Sequence, residues 1–192
     1  NTIESVAKAV AIFREYNVSY ALLHCTNIYP TPPELVRLGA MLELQEKFPD
    51  AVIGLSDHTV TSYPALGAIA LGASIIERHF TDSMDRVGPD ISCSMDPKSL
   101  NELIHGSKII AQARGGKKGP VDEEKSTIDF AYASVVTIRG IEAGEEFSMD
   151  NIWVKRPGTG EIMAVEFDSI IGKKAVRTIP NDTQLKLEDI QQ

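Results

Sequence analysis

The sequence has 192 residues, 43% of them hydrophobic and 24% charged, enough for one full core or two smaller ones. Its net charge of −8 and pI of about 5.0 argue against a nucleic-acid-binding surface. No apolar run approaches the roughly 20 residues of a membrane-spanning helix, and no signal peptide is visible at the start. Cys25 and Cys93 are the only cysteines, and a chain of this size needs no staple, so reduced thiols in the cytoplasm are expected.

Asn1 to Tyr16 has the pattern of an amphipathic helix, with Ile3, Val6, Val10 and Phe13 at helical intervals and capping-box spacing between Asn1 and Glu4. A start at a helix cap without methionine suggests a piece of a longer protein. Val18 to Cys25 reads as a strand, and Thr26 to Pro30 as the loop leaving it. Thr31-Pro32-Pro33-Glu34 is expected to open a second helix, with Thr31 as N-cap. Ala51 to Leu55 forms the next strand, Ser62 to Leu71 a short helix, and Ser74 to Phe80 a third strand. Asp96-Pro97 starts a long helix that runs to about Ala113. Helices alternating with continuous apolar strands predict a parallel sheet covered by helices, joined by right-handed crossovers.

Gly115 to Pro120 breaks this rhythm, and Val121 to Thr127 is polar. We expect a first domain over 1–115, a linker over 116–127 and a small, mostly β module over 128–192. In that module Ser134 to Ile138, Ile152 to Lys155 and Ala175 to Thr178 are β-like runs separated by turn signals.

Two apolar strands end in ionisable residues, at Ser56-Asp57-His58 and at Glu77-Arg78-His79. The C-terminal ends of strands in alternating α/β folds share one face, where active sites open. His58 and His79 could bind a divalent cation with positions left open, or each could be a structural histidine bonded to a backbone carbonyl. Glu77 and Asp90 could hold a hydroxylated substrate or move protons, or pair with Arg78 or Arg86. Ser56 and Asn27 could meet an anion, and Tyr29 could stack on a ligand; ordinary turns and packing use the same residues. His24, Cys25 and Cys93 have no paired spacing of a zinc site, so buried cysteine acting as a small apolar residue is expected. Arg156, beside Pro157-Gly158, could reach a ligand or another subunit, or lie on a solvated turn. No Walker motif or dinucleotide fingerprint is present. A triad from Ser56-Asp57-His58 is disfavoured, because a strand points neighbouring side chains apart.

Leu23-His24-Cys25-Thr26-Asn27-Ile28-Tyr29-Pro30-Thr31-Pro32 resembles the sialic acid synthase family. So do Gly54 to Thr59, Glu77 to Thr81, Gly88-Pro89-Asp90 and Val154 to Gly158, in the same order and spacing. The resemblance covers essentially the whole chain. It implies the second part of a TIM barrel, with strands six to eight, followed by a small antifreeze-like (SAF) β-clip domain. It also implies condensation of phosphoenolpyruvate with N-acetylmannosamine and water to N-acetylneuraminate and phosphate. His58 and His79 would hold Mn²⁺ (or Mg²⁺) as a Lewis acid on the sugar aldehyde, and Asn27 and Ser56 match phosphoenolpyruvate-binding positions. Tyr29, Glu77 and Asp90 match positions around the amino sugar, and Arg156 matches an arginine donated across a domain-swapped homodimer. A synthase for a related nonulosonic acid, such as legionaminic acid, is the alternative within the family. Another is a non-catalytic binding or oligomerisation fragment with exposed sheet edges. A hydrolase or an aldolase fits less well, for want of further metal ligands and of a Schiff-base lysine at the strand ends.

Overall fold

The computed structural model describes residues 1–191, which fall into two compact units: Asn1–Lys117, and a second beginning at Lys118.

The first unit runs α1 (Ile3–Glu15), β1 (Ala21–Cys25), α2 (Leu38–Lys47), β2 (Val52–Ser56), α3 (Tyr63–Ala70), β3 (Ile75–Glu77), α4 (Pro97–Ala113). The strands are parallel and lie in chain order, β1-β2-β3, with Cys25 opposite Ser56 and Ser56 opposite Glu77. Sequential order with crossovers of one hand keeps every helix on the same face, as in a βα barrel; a doubly wound sheet reverses its order partway. That face is dry. Val10, Met41, Leu44, Phe48, Ile53 and Leu55 are buried there, with Leu22 and Ile76 packed against them. The alternate residues, Leu23, Cys25, Gly54, Ser56, Ile75 and Glu77, line the opposite face. Gly54 has a reason to be glycine: a Cβ would lie 2.5 Å from the Ile75 carbonyl oxygen.

Local chemistry sets the helix ends. Thr2, not Asn1, caps α1, its Oγ1 accepting from Ser5 N at 3.3 Å. Asp96 caps α4, with Oδ1 accepting from Ser99 N at 2.7 Å, and Pro97 fills the first turn, where no amide donor is needed. The helix expected from Thr31 does not form there. Pro33–Leu35 is a 3₁₀ turn, and α2 starts only after Arg37, whose φ of 52° interrupts the spiral. Thr31 instead gives its hydroxyl to the Ile28 carbonyl at 2.6 Å, closing the preceding loop.

The second unit holds α5 (Lys125–Ala131), β4 (Ser134–Thr137), β5 (Ile152–Lys155) and α6 (Phe167–Ile170). β4 and β5 pair antiparallel, and isolated bridges such as Ile141 to Ile179 and Ala175 to Ile190 extend the pairing. Ala175 to Thr178 therefore contributes a single bridge, at Ala175, not the continuous strand read from its composition. Within residues 116–127, read as linker, Asp122–Glu124 forms a 3₁₀ turn and Lys125 starts α5. Val135, Ile141, Phe147, Ile152, Ile162, Ile179 and Leu185 are fully buried in one core.

Candidate active site

Past the ends of β1, β2 and β3 the chain gathers the polar residues singled out above. Cys25, Ser56 and Glu77 form one cross-strand row, and the Ser56 hydroxyl donates to Glu77 Oε2. The His58 ring follows. Its Nδ1 lies 3.1 Å from the Thr26 carbonyl oxygen, which can only accept, so Nδ1 is the donor of that bond. Nε2 sits 3.4 Å from Ser56 Oγ, whose proton is committed to Glu77. The backbone thus orients the His58 ring and leaves Nε2 as the nitrogen facing the strand-end row, as at metal-ligating histidines.

Tyr29 covers this ring, stacked at a centroid separation of 4.2 Å, and turns its edge to His79 at 5.7 Å. Loss of solvent, followed by the nearby Cys25, Asp90 and Glu77, raises the Tyr29 phenol above its usual pKa. The His58 and His79 rings are perpendicular, 5.2 Å apart. His58 is only 4% exposed, while His79 is half-buried and points Nδ1 at Asp90 Oδ2, 3.6 Å away. These two imidazoles are neighbouring nitrogen donors, a chemistry that fits a divalent cation completed by oxygen ligands.

Among the described residues neither Glu77 nor Asp90 pairs with an arginine; Arg78 and Arg86 are engaged elsewhere. Arg86 pairs with Asp82. Arg78 is a buried strut: Nε is 3.3 Å from Asp57 Oδ2, Nη1 donates to Ser62 Oγ at 3.2 Å, and Nη2 donates to the Thr59 carbonyl. Asp57 in turn accepts from the Thr59 amide at 3.0 Å. Both side chains of the Asp57–Arg78 pair are at most 2% exposed, so this pair fixes the backbone that carries His58 and His79. Burial lowers the Arg78 pKa, and the Asp57 charge opposes that shift.

Asn27 is exposed at the mouth, accepting from the Cys25 thiol at 3.1 Å. His24 is structural, its Nε2 2.8 Å from the Val36 carbonyl. Arg156 belongs to the second unit, exposed at the end of β5, with no ion-pair partner among the described residues. Its Pro157–Gly160 turn is held by Ser134 Oγ, which donates to the Pro157 carbonyl and accepts from Gly160 N. The sequence reading took Cys93 as a small buried apolar residue. It is fully buried, as expected, but its Sγ, a nitrogen of His79 and a carboxylate oxygen of Asp90 all lie within 4.8 Å of one another. Burial, then Asp90, raises the thiol pKa. No spacing rule could have found this group, because loop folding alone brings Cys93 back to His79.

A barrel segment with cation-competent histidines at its strand ends, joined to a small β module, defines the class. Residues 1–119 match the NeuB family and residues 132–191 the SAF domain, and the chain belongs to the NeuB family. It is 38% identical to the spore coat polysaccharide biosynthesis protein SpsE of Bacillus subtilis over 92% of this chain and 52% of that protein. It is 37% identical to an N,N′-diacetyllegionaminic acid synthase of Campylobacter jejuni, over 86% of this chain and 49% of the relative. The crystal structure of an N-acetylneuraminic acid (sialic acid) synthetase from Leptospira borgpetersenii in complex with citrate superposes with a TM-score of 0.62. There the identity is 33%, covering 67% of this chain and 45% of that one. The chain thus spans about half the length of the relatives it matches. Those relatives include nonulosonic acid synthases.

Proposed function

We propose that the full-length protein is a phosphoenolpyruvate-dependent nonulosonic acid synthase, with N-acetylmannosamine as substrate and N-acetylneuraminate and phosphate as products. One observation carries the reading: two neighbouring imidazoles, one oriented by the backbone, stand beside Ser56 and Glu77 at the strand ends of a NeuB-family chain. Phosphoenolpyruvate C3 bonds to the sugar aldehyde carbon, water adds at C2, and phosphate leaves with its bridging oxygen. His58 and His79 would hold Mn²⁺ or Mg²⁺, and the chemistry such an ion would supply when bound is Lewis-acid polarisation of the aldehyde.

The chain's own groups bind and orient. Tyr29 shields the His58 ring from water and, with Glu77 and Asp90, takes the sugar hydroxyls. Ser56 and Asn27 face phosphoenolpyruvate. Arg156 completes the sugar site in a domain-swapped homodimer, and the residues outside this chain close the barrel around the open sheet face. We place the protein in the cytoplasm, where phosphoenolpyruvate is made and where Cys25 and Cys93, both free thiols here, stay reduced. Among the described residues no helix is long and apolar enough to cross a membrane, and the acidic balance disfavours nucleic acid as a partner.

The test is phosphate release by full-length protein given phosphoenolpyruvate, Mn²⁺ and the sugar. His58→Ala and His79→Ala should each lower turnover by at least about 100-fold with the fold retained; wild-type turnover in either removes the assignment. A second reading, a legionaminic acid synthase, is favoured by the Campylobacter relative. Faster turnover of a sugar bearing two acetamido groups than of N-acetylmannosamine would select it.

A further inference from the structure

We propose that His79, Asp90 and Cys93 form a sulfur-containing cation site for a thiophilic divalent ion of the Zn²⁺ class, sharing His79 with the His58 pair. Donors around a tetrahedral ion stand about 3.3–3.8 Å apart when bonded at about 2.0–2.3 Å. The three ligand atoms here already lie within 4.8 Å of one another, and His79 Nδ1 is 3.6 Å from Asp90 Oδ2. Closing the set takes a shift of about an ångström, within reach of side-chain rotation.

The backbone makes the gathering firm. A 3₁₀ turn over Ile91–Cys93 folds the chain back on Asp90, whose carbonyl accepts from Cys93 N at 3.3 Å and from Ser94 Oγ at 2.8 Å. After this turn, Met95 N donates to the His79 carbonyl at 2.8 Å, which ties the turn to the residue that supplies the imidazole. Cys93 stands at the back, fully buried, while Asp90 and His79 are partly open to solvent. One face of the set therefore remains for water or an exogenous ligand. Donor chemistry separates the two sets. His58 and His79 offer nitrogen only and leave the rest to oxygen ligands, which suits Mn²⁺ or Mg²⁺ chemistry. A thiolate selects Zn²⁺, Cd²⁺ or Co²⁺. Because both sets use His79, one protein cannot fill both with full coordination, so a soft ion excludes the hard one. The site itself stands whether or not the protein is a synthase.

The experiment titrates metal-stripped, full-length protein with Cd²⁺ and reads the ultraviolet thiolate-to-metal charge-transfer band, with no turnover involved. Saturable appearance of the band is expected. It should be lost in Cys93→Ser, weakened in Asp90→Asn, and kept in Cys25→Ser and His58→Ala. In competition with a chromophoric chelator, Cys93→Ser should weaken Zn²⁺ binding about tenfold or more. No band in the wild-type protein overturns the proposal, with no variant required to fold. A band that survives Cys93→Ser, or that disappears with Cys25→Ser, overturns it equally.

Discussion

The two units bury their apolar residues in different ways. The second closes a core on itself: its seven fully buried large side chains come from turns, bridges and two strands that enclose one another. The first covers only one face of its sheet. Its helices bury Ile53 and Leu55, yet on the other face Ile75 remains 38% exposed and Glu77 is open. The open face is also where the ionisable residues collect. A self-contained core leaves no interior place for such chemistry, whereas parallel strands that end at one rim bring polar groups from distant stretches together there.

The largest effect that would sharpen this contrast is in the closed core. Phe147→Ala should cost the second unit about 3–5 kcal/mol. Trp153, the only tryptophan of these 192 residues, packs edge-on at 5.4 Å from Phe167, so its emission reports on this unit. A urea titration read at Trp153 should show the loss, and an unchanged midpoint would mean that Phe147 does not hold that core together.

A smaller change should be confined to the open sheet. Gly54→Ala puts a Cβ against the Ile75 carbonyl oxygen and must part β2 from β3, at about 1–3 kcal/mol. Hydrogen exchange in the full-length protein should speed up at the Ser74 amide, bonded to Ile53 O, and at the Asp57 amide, bonded to Glu77 O. The Trp153 transition should stay where it was. If it moves as well, the two units do not unfold separately and the contrast fails.

The smallest effect is electrostatic. Arg139, then the Glu142 amide, holds the Glu145 carboxyl at a pKa of about 2, below its ordinary value near 4.5. A carboxylate depressed in the folded state adds stability above its unfolded pKa and loses it as pH falls through the folded one. Glu145→Gln should therefore lower the Tm slightly at neutral pH, with the difference fading between about pH 4.5 and 2. A difference that stays constant across that window would put the pair's contribution down to packing.

Signals that act over a few residues were readable in the sequence. Asp96-Pro97 marked the start of α4, because a carboxylate N-cap followed by proline satisfies the first turn from within. The strand ends at Ser56 and Glu77 stood out because apolar runs stopped at charged residues, and the structure does place those residues in one row. Features decided at longer range were not readable. Thr31 has the sequence of an N-cap, yet its hydroxyl closes a loop, and Arg37 interrupts the spiral before α2 begins. In the second unit Ala175 to Thr178 has strand composition, but its neighbours are reached through a single bridge set by distant turns. Cys93 looked like a small apolar residue and is buried like one; only the fold shows which side chains it meets.

The order of the strands also bears on how the chain assembles during synthesis. In the first unit each strand pairs with the next one made, so every crossover closes a local loop and the sheet can grow strand by strand behind the ribosome. In the second unit β4 also pairs with the next strand made, β5, but its other edge closes at longer range. The Thr137 hydroxyl reaches a carbonyl 43 residues onward at Pro180, and Val135 N–H and C=O groups engage Ile162 and Leu185. That β4 edge must therefore wait, only partly paired, until residues past Thr183 have been made, and that interval is when a nascent chain of this kind is most exposed to mispairing.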